Sequence, residues 1–484
     1  MLPVAVVASL LACQSGDQTG VTTDPATTGE TTEPATTDES GAPLPTSETG
    51  DDTGDASEPV PSTTAGLTGE PPPDACPDLD PGIRTAVLTR LGLPDGPIPE
   101  ADALGLIFLD VIYSADSLAG IECLANLEYL RLAESHVTDL GPLASLEDLT
   151  DVTLTDAPVT DLGPLAGLEN LTDVTLTRTQ VTDLTPLKNL PALAVLVVNH
   201  IPLADLGPVA EMPALLRLDI GDTAVTDLTP LVGHPTLTAL SADRTAPLDL
   251  APLSTIPNLA ELSLYECGLT DIDGLAGATA LTYLHVSSNA LTTVDAVASM
   301  VQLGSLWAYD NQISDLQPLA QLSMLTKLGV DRNKIVDLQP LAGTALTLLY
   351  VNENTLAGLE GIEQLPLEQL EAHSAGLTTL VAVAPATLQS LILANNAITD
   401  LTPLAGHTAL KYAFLSDNEI TDLAPIATAP WVTEGCFNID VSANPLGPDT
   451  LAETIPAICL EPGYIFWGQG ECPADRECLQ VIDP

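Results

Sequence analysis

The chain has 484 residues, 45% of them apolar but only 3% aromatic, so a large core must be built from many similar aliphatic side chains. Acidic residues number 66 against 12 Lys and Arg, a formal charge of −54. Nucleic-acid binding through phosphates and adsorption to anionic membranes both require basic residues, so the composition excludes them, and no apolar run reaches the roughly 20 residues that span a bilayer.

Residues 1–13 read as a targeting segment. Val4–Leu11 is continuously apolar or small, ends in Leu10-Leu11-Ala12-Cys13, and gives way at once to a polar chain. Those last four residues resemble the lipobox of bacterial lipoproteins, where cleavage before the Cys leaves it as the lipidated N-terminus. The resemblance implies lipidation of Cys13 and, with Gln14 rather than Asp next, sorting to the outer membrane. No Lys or Arg precedes the run, a departure from signal peptides, which carry a basic region there, and an ordinary secretory signal with a chance Cys is the other reading. Residues 14–75 hold 15 Thr, 9 Pro and 13 acidic residues with no Lys or Arg. Such a segment cannot bury enough surface to offset its conformational entropy, and it is expected to be a disordered tether with an rms span of ~40–50 Å.

Residues 76–126 predict a short helix near Ile83–Leu91, a Pro/Gly break, a second helical piece near Glu100–Leu106 and an apolar strand. From residue 127 the chain repeats itself. "VTDLGPLASLEDLTDVTL" at Val137 returns as "VTDLGPLAGLENLTDVTL" at Val159 and as "ISDLQPLAQLSMLTKLGV" at Ile313. The Asp of this frame recurs every 22 residues from Asp139 through Asp161, Asp183, Asp205, Asp227, Asp249 and Asp271. It continues at Asp315, Asp337, Asp400 and Asp422, and is broken only at Thr293, Gly358 and Thr379. In each unit Leu-x-x-Leu-x-Leu alternates as a short strand with one buried face, and Asp-Leu-x-Pro-Leu turns the chain. One coil cannot bury its own leucines, but stacked coils bury them against each other. About fifteen strands at ~4.8 Å spacing give a parallel sheet roughly 70 Å long.

These units resemble the leucine-rich repeat family, within it the 22-residue internalin-like class of bacteria. The resemblance implies an α/β solenoid: right-handed, with a concave parallel β-sheet and short 3₁₀ segments on the convex side. It also implies an Asn in each unit that bonds the turn backbone of adjacent coils, present as Asn289, Asn311, Asn333, Asn354, Asn396, Asn418 and Asn444. The first half departs, with Ser135, Ala157, Thr179, Ile201, Thr223, Thr245 and Cys267 in that slot, and weaker ladders are expected there. Residues 76–126 resemble the N-terminal cap of such proteins, residues 127–430 hold the repeats, and residues 431–484 resemble the closing unit. That unit is expected to contain a final strand at Ile439 and Val441, a helix around Leu451–Cys459 and a strand near Tyr464–Trp467.

With Cys13 assigned to lipid, seven cysteines remain. Cys267, in the Asn slot, is expected to be a buried, inert thiol. The other six lie in the disulfide-bearing caps: Cys76 and Cys123 at one end, Cys436, Cys459, Cys472 and Cys478 at the other. Cys76–Cys123 is the expected N-terminal pair; Cys436–Cys459 with Cys472–Cys478 is preferred among three C-terminal pairings. Six scattered His residues and the absence of nucleophile, phosphate-loop or metalloprotease motifs point away from catalysis and from any cofactor or metal. Calcium suits carboxylates, but no spacing here matches a calcium loop.

Aromatics carry the functional signal. Positions flanking the central Leu of each strand point outward by parity, and they hold Tyr129, Tyr265, Tyr283, His285, Trp307, Tyr309, Tyr350, His373, Tyr412 and Phe414. Tyr and Trp anchor protein interfaces. The expected partner site is Tyr283, His285, Trp307, Tyr309, Lys327, Tyr350 and Phe414, with Arg332 beside it. The fitting role is a non-catalytic, lipid-anchored surface protein that recognises a protein ligand. A spacer of the envelope and a carbohydrate-binding module are the alternatives, since cross-strand aromatics also arise in regular sheets and rings also stack on sugars.

Overall fold

A computed structural model describes residues 73–472 apart from 114, 246–247, 381–385, 435 and 462, all within the unit Gly69–Pro484. Cys13, the tether up to residue 72 and Cys478 lie outside the described residues.

Each Leu-x-x-Leu-x-Leu segment forms a strand that buries its leucines and leaves the flanking positions on the open face, as in Tyr283–His285 with Leu284 and Ser305–Trp307 with Leu306. Among the described residues eighteen strands make one unclosed sheet: a leucine-rich-repeat solenoid. The first is Phe108–Ile112. Each strand through Tyr464–Phe466 pairs in parallel with the next in sequence, and only Glu471–Cys472 returns antiparallel. The excess over the fifteen expected comes from cap strands that continue the same ladder.

Behind the sheet, 3₁₀ turns such as Gly141–Ser145 and Thr185–Leu187 carry the repeated Pro near their start. The frame Asp initiates them. Asp139, Asp161 and Asp205 each accept the amide two residues on, at 2.7–2.8 Å, and Thr293 substitutes its hydroxyl at 3.1 Å. Asp183, Asp227 and Asp400 also accept from the Thr hydroxyl two residues on, which holds their carboxyls below the ordinary value. The recurrent Asp is thus a turn-former, at the surface and structural in use.

The Asn ladder is as uneven as the residue types demand. Asn311 donates to the carbonyls of Val286, Ala308 and Tyr309 at 3.0–3.1 Å and accepts from the Leu291 amide at 3.0 Å. Asn333 and Asn418 repeat the pattern. In the first half the Thr245 hydroxyl reaches the Ile220 and Asp243 carbonyls at 3.2 and 3.4 Å, while the Ser135 and Thr179 hydroxyls are buried without a partner among the described residues. Cys267 fits its slot: its Sγ lies 3.1 Å from the Ala242 carbonyl, and burial pushes the thiol up to about 11. The second half has its own break at Ala375, whose amide bonds the Asn396 side chain.

The expected N-terminal helices appear as Pro81–Leu91, capped by the Asp80 carboxylate and ended by left-handed Gly92, and Glu100–Leu104. Cys76 and Cys123 are bridged, with Cα atoms 5.5 Å apart. At the other end Trp431 and Phe437 plug the last coil edge-to-face, and the Trp431 indole donates to the Leu404 carbonyl at 3.1 Å. The expected helix over Leu451–Cys459 begins as a π-type turn, Thr450–Thr454, before Ile455–Ile458. The expected C-terminal pairing is corrected: Cys459 bonds Cys472, not Cys436, and Cys436 is itself disulfide-bonded. The reason is the antiparallel return, which sets Cys472 against Ile465 and brings it to the end of the preceding helix, with the two Cα atoms 5.5 Å apart.

Asn311→Ala removes four bonds and leaves buried backbone groups unpaired, so it should cost about 2–3 kcal/mol, read as a lowered urea midpoint.

Candidate functional site

Register turns the outward positions into rows along the solenoid. One row runs His285, Trp307, Gly329, Tyr350, and beside it on the same strands runs Tyr283, Ser305, Lys327, Leu348. A third lies just past the strand ends, where cross-coil hydrogen bonds continue the register: Asp243, Tyr265, Ser287, Tyr309, Asp331.

Small residues decide which rings meet. Gly329 stands between Trp307 and Tyr350, and a Cβ there would collide with the indole. Trp307 therefore leans across the glycine to reach Tyr350, centroid to centroid 5.9 Å, although their strands are not neighbours. Buried Ser287 plays the same part between Tyr265 and Tyr309, whose rings stand 6.4 Å apart. His285 inserts against both, at 5.5 Å and 5.7 Å. All of these rings are half-buried, each by the others. Ring pairs of this kind contribute about 0.5–1.5 kcal/mol beyond area.

The expected site residues are not all brought together. Tyr283 is half-buried on the adjoining row, and Lys327 is exposed on that same row. Phe414 shares the row of Tyr350 but lies three strands on, beyond Glu371 and Ile392, about 14 Å away. Arg332 sits at the sheet edge, bonded to Asp310 and 3.7 Å from Glu353. It belongs to a series of non-glycine residues held at positive φ after successive strands, among them Asp156, Arg178, Asp222 and Arg244. Spacing by one coil pairs them as Arg178–Asp156 and Arg244–Asp222. Nothing in the repeat pattern marks this ion-pair edge, because a left-handed residue carries no sequence signal when it is not Gly.

A polar chain underlies the rings. Asp243 Oδ1 accepts from the Ser263 hydroxyl at 2.6 Å and from the Tyr265 amide at 2.8 Å. With that proton committed, Ser263 Oγ accepts from His285 Nδ1 at 3.3 Å, which leaves Nε2 buried and unprotonated. The serine is buried and sits between carboxylate and imidazole, so the order differs from that of an activated nucleophile. Burial lowers the affinity of His285 for a proton, pushes the Tyr283 phenol up to about 12, and raises Tyr309, Tyr350 and Asp331. Asp243 and Glu261 act on Tyr283 in the same direction, Glu371 and Asp331 on Tyr350. The face is thus partly dry, aromatic and bordered by negative charge. Among the described residues no group of three or more His, Cys, Asp or Glu could hold a metal ion, and no helix is long and apolar enough to cross a membrane.

No protein-family model and no curated protein matches the chain. Solved structures do. An internalin of Listeria monocytogenes, InlF, is 29% identical over 74% of this chain and 95% of its own, with a TM-score of 0.53. The functional domain of InlJ from the same organism, which includes a cysteine ladder, is 22% identical over 75% and 79%, with a TM-score of 0.52. A TDR receptor is 16% identical over 71% and 65%, with a TM-score of 0.56. The two less identical structures share the fold.

Gly329→Ala should turn Trp307 off Tyr350, giving a red-shifted difference emission spectrum at a cost of about 1–2 kcal/mol. A second test concerns pH. The folded state holds His285 below the ordinary imidazole value of about 6.5, so the unfolded chain binds more protons below that pH. Stability should fall as pH drops from 7 to 5, and His285→Phe, which keeps a ring in the stack, should shrink that fall in urea titrations.

Proposed function

We propose that the protein is an exported, non-catalytic recognition protein that takes a protein partner on the open sheet face around Trp307. In this reading Cys13 carries the lipid anchor, residues 14–75 form the stalk and the internalin-like repeats display the face. The observation that carries it is the pooling of Tyr265, Tyr283, His285, Trp307, Tyr309 and Tyr350 on one side of the sheet, half-buried and still presenting ring surface. A purely structural rod gains little from placing large rings on its open side, whereas at ~150–250 Å² each they approach the ~800 Å² of a standard binding patch. Disulfides in both caps fit an oxidising compartment outside the cytosol, and the likeness to an internalin supports the same setting.

Trp307→Ala with Tyr309→Ala tests the reading. The leucine core is untouched, so the thermal transition should stay within a few degrees of wild type. Capture of a surface partner in cross-linking pull-downs should be lost. Equal capture by wild type and double variant favours the spacer. Capture that survives proteolysis of the target surface but disappears after periodate treatment moves the ligand to a glycan.

A further inference from the structure

The row Asp243, Tyr265, Ser287, Tyr309, Asp331 is a bracketed arrangement: two rings and His285 at the centre, with one carboxylate at each end. Its ends are four strand steps apart, about 19 Å. Both carboxylates are half-buried, and each is anchored through one oxygen only. Asp243 uses Oδ1 for Ser263 and the Tyr265 amide, and Asp331 uses Oδ1 for the Asn352 amide at 2.7 Å. Among the described residues Asp243 Oδ2 has no hydrogen-bond donor, and Asp331 is met only by the backbone and side chain of Asn352. Asp331 is raised by burial, so its charge is poorly solvated where it stands. Glu371 adds negative charge at the Asp331 end, while Glu261, beside Tyr283, lies 3.9 Å from Arg217. The nearby cations offset this only in part, since Arg332 acts on Asp331 and Arg244 on Asp243 while both are bonded to other acids. Arg244 is bonded to Asp222, Arg332 to Asp310, and Lys327 lies two rows away.

An aromatic surface with desolvated carboxylates at its margins is the chemistry that receives cations lying over ring faces. Building on the reading of this face as a protein-binding site, we propose that its occupant is an extended basic segment of the partner. That segment places one Lys or Arg at Asp243, another at Asp331, and apolar side chains on the rings between them. At ~3.3 Å per residue an extended chain covers 19 Å in about six residues, so the two basic positions are roughly six apart.

Fluorescently labelled heptapeptides test this on the full-length protein by anisotropy. The probe is Lys-Thr-Leu-Thr-Leu-Thr-Lys. Its controls replace both lysines with norleucine, replace both with Glu, or bring the lysines two apart. The expected result is saturable binding of the probe that weakens as salt is raised. It should exceed that of the norleucine and close-lysine controls, with no binding of the Glu peptide. Asp243→Asn and Asp331→Asn keep an oxygen for the internal bonds, so the fold survives. Each should weaken the probe roughly three- to five-fold, the range of a partly exposed ion pair. The proposal is overturned if the probe shows no binding at millimolar concentration, binds no better than the norleucine peptide, or is indifferent to both substitutions. Those outcomes leave the aromatic face itself untouched, because partner capture by the Trp307 and Tyr309 double variant decides that separately.

Discussion

Each coil stays dry only because of the coils on either side. Leu284, Leu306, Leu328 and Leu349 have no accessible surface, and none could achieve that in an isolated unit. This mutual shielding fixes the inward direction of one residue in every strand. Parity then forces both neighbours outward, whatever their chemistry. The aromatic face is therefore a by-product of leucine packing that these particular residues exploit. Tyr283, His285, Trp307 and Tyr309 cannot retreat inside without expelling a leucine.

The same rigidity explains what could be read from the chain and what could not. The 22-residue Asp frame, the inward leucines and the outward aromatics follow from local periodicity, the Asn slots from the family resemblance, and the sheet, turns and ladder agree with them. The caps were legible through Gly, Pro and helix-start signals. The organisation within the face was not, because it depends on residues from alternate coils. Gly329 looks unremarkable in its own unit; only register shows that it clears a path from Trp307 to Tyr350. Phe414 stands apart from the ring cluster for the converse reason, since parity gives the side of the sheet but not the distance along it. Cys459–Cys472, one of the three open pairings, is not marked in the sequence, because an antiparallel return outside the repeat brings the two together.

Charge is unevenly managed. Of the few cations, Arg178, Arg244 and Arg332 sit at the left-handed corners and pair with acids one coil away, where solvent screens the gain. They relieve repulsion along the sheet edge. The interior of the face keeps Asp243, Asp331 and Glu371 on neutral hydrogen-bond donors, with no cation bonded to them among the described residues. Proximity to the rings then makes each carboxylate more influential than its exposed counterparts, because water competes less for it.

A stacked architecture with constant rise has one more property. Positions on the face can be set apart only by whole coils, so adding or deleting a single unit between Asp243 and Asp331 would change their separation in a step of ~4.8 Å and nothing smaller. The molecule is in that sense a graduated ruler: gaining or losing a unit would respace the two carboxylates without altering either of them.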